Sequence, residues 1–367
     1  MRQELALRIL SEVMHWDTSK SREEFTWLRL MSRLKYNRYQ DFLAGARFIE
    51  SLVDWLQQFE HADRATAYEF VRNHLVYVSH AEMQHLVELA YSETIRPYLT
   101  TAVATRLNIP TYRVWSQLDA RQLYTRLLRQ TLFLALSDGA RIDIFRRSNV
   151  GAISNEQVLV TPQPNSAKWN GLLRDLRTDL NDPSARFAFV FLIDDFVGSG
   201  TTLLRLDDNT WEGKLVTFLR NIEEIAQTHL EPQWKLGVHH YIATHKACEN
   251  LDEREAKARR SPDAKQWFHE TTFSYGMILP ADLPIDERRY QDLMRLITVY
   301  YDSSIATRHF EKGGSDDARL GFGHCALPLV LDHNTPNNSI ALLWAESEDP
   351  NCAHAMRPLF RRRQRHL

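Results

Sequence analysis

Through residues 1 to about 110 the apolar positions fall at helical spacing. Phe42, Ala46, Ile49, Val53 and Leu56 recur in alternating steps of four and three, and Met83, Leu86, Val87 and Ala90 stand at i, i+3, i+4 and i+7. Each is the stripe of an amphipathic helix. Ser79 and Glu82 fit a capping box at the start of one of them. Gly45 is the only glycine before Gly139, which suits an all-helical N-terminal region. After Pro110 the segment LDARQLYTRLLRQTLFLALSD continues the helical pattern as far as Gly139.

The texture then changes. ARIDIFRR (140–147) alternates as a half-buried strand, while FAFVFLI (187–193) is a continuous apolar run, as expected of a strand covered on both faces. WKLGVHHYIATHK (234–246) and FSYGMIL (273–279) follow as strands, and HCALPLVLDH and SIALLWA supply two more. Helical patterns lie between, at about 167–180, 210–230, 250–260 and 286–301. Strands alternating with helices predict an α/β domain with a mainly parallel sheet flanked by helices. The expected organisation is a helical region over 1–110, an α/β domain over 111–350 and an Arg-rich tail over 351–367. SNVGAISNEQ and EKGGSDDARLGFG read as loops.

Composition changes this picture little. The chain is 44% hydrophobic and 25% charged with a formal net charge of −2, which excludes a global pull toward nucleic acid or anionic membrane. The exception is the tail, where Arg357, Arg361, Arg362, Arg363 and Arg365 cluster. It reads either as a contact for phosphate or an acidic partner, or as a solvated terminus. Three dispersed cysteines, Cys248, Cys325 and Cys352, form no disulfide framework and no Cys-rich zinc pattern. No signal peptide pattern opens the chain, and no apolar run approaches the roughly 20 residues of a membrane span. A cytoplasmic protein is expected.

The candidate chemistry concentrates in FAFVFLIDDFVGSGTT (187–202). Asp194 and Asp195 follow the apolar strand at its C-terminal end, where open α/β sheets place ligands. Gly198, Ser199 and Gly200 allow a tight turn with close approach of backbone N–H groups, and Thr201 and Thr202 open the next element as a helix start. Orphan N–H groups at a helix N-terminus hold anions. One end of the segment thus suits a phosphate and the other a diol or hydrated cation, and a ribose 5-phosphate carries both. The competing motifs fail. No GxxxxGK[ST] loop exists, because Gly213-Lys214 lacks the upstream glycine, and a third glycine for a dinucleotide fingerprint is missing. Val197 and Thr201 exclude a nucleophile elbow. The alternative is an ordinary turn with carboxylates capping a strand end.

FLIDDFVGSGTT resembles the PRPP-binding signature of the type I phosphoribosyltransferase fold. Two further stretches, RRSNVGAISNEQV and LDHNTPNNSIALLW, resemble segments of the phosphoribosyltransferase-like proteins of bacterial conflict systems, the PRTase-CE family. The resemblance implies that Asp194 and Asp195 serve the ribose hydroxyls, directly or through Mg²⁺, and that residues 198–202 wrap the 5-phosphate. It places the pyrophosphate loop after the first core strand, at Arg146, Arg147, Ser148 and Asn149, although these arginines equally suit a solvated surface strand. His333, Asn334, Asn337 and Asn338 would read a base or orient a nucleophile, or else form an Asn-Pro turn that satisfies its own backbone. Gly198 stands where hypoxanthine–guanine-type members carry an acidic general base, which argues against purine salvage of that kind. The resemblance further implies a defence effector acting on PRPP, a nucleotide or nucleic acid, by phosphoribosyl transfer or a derived reaction. Its partner would be a reverse transcriptase or its nucleic acid, met through the helical region or the tail. A non-catalytic sensor is the alternative. Adjacent His239 and His240 point to opposite faces of a strand, so a metal shared between them and His245 is geometrically awkward. Trp55, Phe59, Tyr68 and Tyr77 are expected in the core.

Overall fold

The computed structural model describes residues 3–40, 48–265, 267–347 and 355–362. Nine strands occur among them: β1 (Val76–Val78), β2 (Thr131–Ala135), β3 (Val158–Leu159), β4 (Phe187–Val197), β5 (Arg205–Asp207), β6 (Thr210–Glu212), β7 (Leu230–Thr244), β8 (Thr271–Leu279) and β9 (Leu329–Leu331). The chain forms two compact units, one of residues 1–83 with 281–367 and one of residues 84–280. The division falls at 83/84 and 280/281, not near 110 and 350. Apolar positions on both sides of residue 110, among them Val103 and Val114, are buried.

The first unit is mainly helical. Helices Gln3–Val13, Thr18–Leu34, Phe48–Gln57 and His61–Asn73 bury their apolar stripes together with Leu296 and Ile297 of the helix Gln291–Val299 and with Tyr300 just after it. Ile49, Val53 and Leu56 are buried, as their spacing predicts, whereas Phe42 and Ala46 lie outside the described residues. Trp55, Phe59, Tyr68 and Tyr77 are all core, and Trp55 Nε1 donates to Leu342 O at 2.7 Å. β1 pairs with β9 in parallel, so this region is not purely helical. The capping box is present: the Ser79 N–H donates to Glu82 Oε2 at 2.7 Å, and Glu82 N donates to Ser79 Oγ at 3.4 Å. SIALLWA, expected as a strand, contains a short helix, Ala341–Trp344. A brief apolar run does not distinguish the two by periodicity.

The tail is anchored where it is described. Leu359 and Phe360 are buried in the core of the first unit. Arg361 pairs with Glu346, and the Arg362 guanidinium lies 5.6 Å from the centroid of the Trp344 ring. Arg363 and Arg365 lie outside the described residues.

The second unit carries a five-stranded parallel sheet in the order β3-β2-β4-β7-β8. β4 is central, with neighbours on both edges and core on both faces, which is why its first eight positions are all buried. The first core strand is β2, TLFLA, read from the sequence as the end of a helix. The helix Leu118–Arg129 instead stops one residue short of it, and every β2 residue is buried. Correspondingly, 140–147 is not a strand. Arg141 takes a left-handed φ of 45°, and Ile142–Ser148 is a helix that buries Ile142 and Phe145, with an Asp143–Arg147 ion pair one turn apart at 2.6 Å. Spacings of two and three compete in so short a segment, and Ile142 to Phe145 at i, i+3 prevails. The helices Ser166–Leu180 and His245–Arg260 match expectation. The span 210–230 divides into β6 and the helices Lys214–Asn221 and Glu223–His229.

Candidate functional site

The site is built at the C-terminal end of β4. Alternation along the strand sends Asp194 and Asp195 to opposite faces. Asp194 is buried and fully engaged. Its Oδ1 accepts from the Ser137 hydroxyl and, at 3.2 Å, from the Asp195 N–H. Its Oδ2 accepts from Lys214 Nζ at 2.8 Å. Burial, and then the neighbouring charge of Asp195, push the Asp194 carboxyl above the ordinary range, while Lys214 and Ser137 pull against them. Asp195 is half-buried and accepts from the Phe196 N–H at 2.8 Å.

The loop after β4 is turned inside out. The Gly198 carbonyl accepts from Thr244 Oγ1 at 2.5 Å, that of Ser199 from Asn250 at 3.0 Å, and that of Leu204 from Arg254 at 3.0 Å. The Gly200 carbonyl accepts from the N–H groups of Leu203 and Leu204, and those of Thr202 and Leu203 from Lys214 and Leu215. The amides are the other way about. Among the described residues, no hydrogen bond is formed by the N–H groups of Ser199, Gly200 or Thr202, although Ser199 and Gly200 are buried. Buried unpaired amides are rare and costly, and several together in a turn make a receptor for an anion. Gly200 has φ +74°, and a Cβ there would stand 2.9 Å from Leu251 Cγ.

Thr201 and Thr202 do not open a helix as expected. They lie in a single turn that leads into the antiparallel pair β5–β6, and the next helix begins only at Lys214. Asp208 and Asn209 make the hairpin's turn, both with positive φ. The unpaired amides therefore belong to the turn itself and not to a helix N-terminus.

The residues expected as a pyrophosphate loop do not follow the first core strand. Arg146, Arg147 and Ser148 end the helix Ile142–Ser148, and Asn149 caps it, its side chain donating to Phe145 O at 2.7 Å. The segment that does follow β2 is Leu136 to Arg141. It places Ser137 on Asp194 and brings Gly139 so close to Asp195 that a Cβ would meet the carboxylate, with Cγ 2.9 Å away.

His333, Asn334, Asn337 and Asn338 belong to the first unit, whereas Asp194, Asp195 and 198–202 belong to the second. His333 Nδ1 is 3.1 Å from Asp332 Oδ1. Asn338 is buried, donating to Phe322 O at 2.8 Å, and Asn334 closes a tight turn with Leu331.

His240 stands opposite Asp194 in the sheet register and Tyr275 opposite His240. Burial holds the histidines neutral, pushing His239 down to about 4 and His240 to about 3. Ser137, Gly139, Thr244, Asn250 and Arg254 have no sequence signature linking them to the motif. The one available signal was Gly213-Lys214 at the end of a hairpin that returns to the loop.

A magnesium ion held directly by Asp194 does not fit these donors. Both carboxylate oxygens are already bonded, and an ammonium group occupies the cation's position. Among the described residues no group of three or more His, Cys, Asp or Glu side chains is placed to hold a metal ion, and no helix is long and apolar enough to cross a membrane.

Residues 52–362 match the model of the family described as PRTase-CE. No curated protein and no solved structure matches the chain.

Proposed function

The chain belongs to the PRTase-CE family, and from that premise we propose that its second unit binds a ribose phosphate, PRPP or a related nucleotide, at the end of β4. The observation that carries this reading is the inverted loop, its carbonyls bonded and the amides of Ser199, Gly200 and Thr202 directed to no protein partner. A phosphate satisfies such amides with charge-assisted hydrogen bonds. Asp195 stands in β4 four residues before Ser199, where we place its carboxylate as an acceptor for the sugar hydroxyls. Asp194 acts behind it as an anchor that ties β4 to Ser137 and Lys214.

If the bound sugar reacts, cleavage at its anomeric carbon needs positioning and stabilisation of the leaving anion more than covalent help. The engagement of Asp194 by Lys214 and Ser137 favours a second reading, binding without turnover, in which the occupied loop is the signal. Calorimetric titration with PRPP, ribose 5-phosphate and AMP tests the proposal. Binding is expected to compete with inorganic phosphate and to be lost in Asp195→Asn, and wild-type protein that binds none of the three overturns it. Pyrophosphate release then separates transfer from sensing. Family membership supports an effector role in anti-phage defence. Its check is the plating efficiency of phage on cells expressing wild-type or Asp195→Asn protein, with equal plating on both counting against it.

A further inference from the structure

We propose that Lys214 is a ligand-binding residue and the resident cation of this site, so that an anionic sugar phosphate binds without a metal ion coordinated at Asp194. The inference rests on the ribose-phosphate reading above. Lys214 reaches the site by design of the chain path. The β5–β6 hairpin carries the backbone out and back, and the N–H groups of Lys214 and Leu215 donate to Thr202 O and Leu203 O at 3.0 Å, fastening the start of the helix to the phosphate loop. The ammonium thus hangs between the loop and the end of β4.

Among the described residues its Nζ makes one hydrogen bond, to Asp194 Oδ2 at 2.8 Å, and its side chain is 30% exposed while that of Asp194 is 6% exposed. An ammonium has three donors in all. One is spent on the buried carboxylate, and the partly open side of the group retains the others. A lysine kept solely to neutralise a buried acid would be expected to be buried with it. Here the pair is arranged with the acid inside and the cation toward solvent, on a residue whose own backbone N–H is bonded to Thr202 of the loop. Asp194 orients the lysine, and Lys214 presents positive charge to the ligand. A metal ion at Asp194 would need the carboxylate oxygen that the ammonium already holds, so the lysine and a directly held metal exclude one another.

The test is titration calorimetry of full-length protein with PRPP, in excess Mg²⁺ and in EDTA. Wild type is expected to bind in both, with dissociation constants within about threefold. Lys214→Met is expected to weaken binding at least about tenfold in EDTA, one lost charged contact, while Lys214→Arg retains most of the affinity. Because Lys214→Met leaves a buried carboxylate alone, the double variant Asp194→Asn/Lys214→Met removes both charges, keeps the site neutral and is expected to show the same loss. Wild-type binding seen only with Mg²⁺ overturns this inference and leaves the ribose-phosphate reading standing. Binding by either methionine variant at wild-type strength in EDTA does the same. Wild type that binds under neither condition overturns both.

Discussion

Gly139→Ala isolates the function of Asp195 from the stability of the fold. Gly139 lies in the turn after β2, without a left-handed φ, so alanine is compatible with its backbone. What alanine cannot do is share space with the Asp195 carboxylate. Its Cβ would stand 2.9 Å from Asp195 Cγ, against 3.4 Å or more in ordinary contact, so the carboxylate must retreat by at least about 0.5 Å. Asp195 is half-buried, and the bonds of Asp194 to Ser137 and Lys214 do not involve its carboxylate. The stability cost is therefore under about 1 kcal/mol, partly offset by the reduced freedom of the unfolded chain. The effect on a ligand held by that carboxylate is much larger, since a displacement approaching 1 Å costs up to about a hundredfold. Thermal melts paired with PRPP titration should show an almost unchanged midpoint and affinity weakened ten- to a hundredfold, about 1.4–2.7 kcal/mol. Affinity within twofold of wild type would refute the placement of Asp195 against the ligand. A collapse of the melting temperature would refute the separation of site from scaffold.

Gly200→Ala combines a left-handed φ with a close approach to Leu251, so it should lower stability by at least about 1–2 kcal/mol and reduce phosphate binding together, measured by urea unfolding and titration. Phe360→Ala empties a buried site ringed by Tyr36, Tyr39, Phe48 and Tyr77 and should cost about 3–5 kcal/mol, whereas an unchanged denaturation midpoint would mean the tail does not seal the first unit. His239 and His240 are buried neutral, with folded values of about 4 and 3 against 6.5 when free, so protons favour the unfolded chain. Their contribution to stability is complete above about pH 6.5 and is lost as pH falls toward those folded values. Hydrogen exchange in β4 and β7 should accelerate from pH 7.5 to 5 after correction for intrinsic rates, and corrected protection that is equal at both would contradict it.

The central strand and its loop were legible because their chemistry is local. An apolar run covered on both faces needs no partner to be recognised, and two carboxylates, two glycines, a serine and two threonines follow within nine residues. The groups that complete the site are distant in sequence: Ser137 is 57 residues from Asp194 and Lys214 is 20 residues away. Only the sheet order and the hairpin bring them together. β2 was hidden for a different reason. TLFLA adjoins the helix Leu118–Arg129 with no glycine or proline between, and an unbroken apolar run continues a helical pattern as readily as it begins a strand. With the first core strand expected at 140–147, the expected pyrophosphate loop fell at Arg146–Asn149, where a helix ends and no strand leads directly into it.

Thr244 joins two structures with one hydroxyl. It donates to the Gly198 carbonyl at 2.5 Å and accepts from the Ala247 N–H at 2.9 Å, closing the first turn of the helix His245–Arg260. Asn250 and Arg254, one and two turns further on, hold the next carbonyls of the same loop. The loop proposed to hold a phosphate is thus bonded to a rod of sixteen residues, about 24 Å long. If the loop changes conformation when it is filled, the first turns of that rod are the part of the fold bonded to feel it.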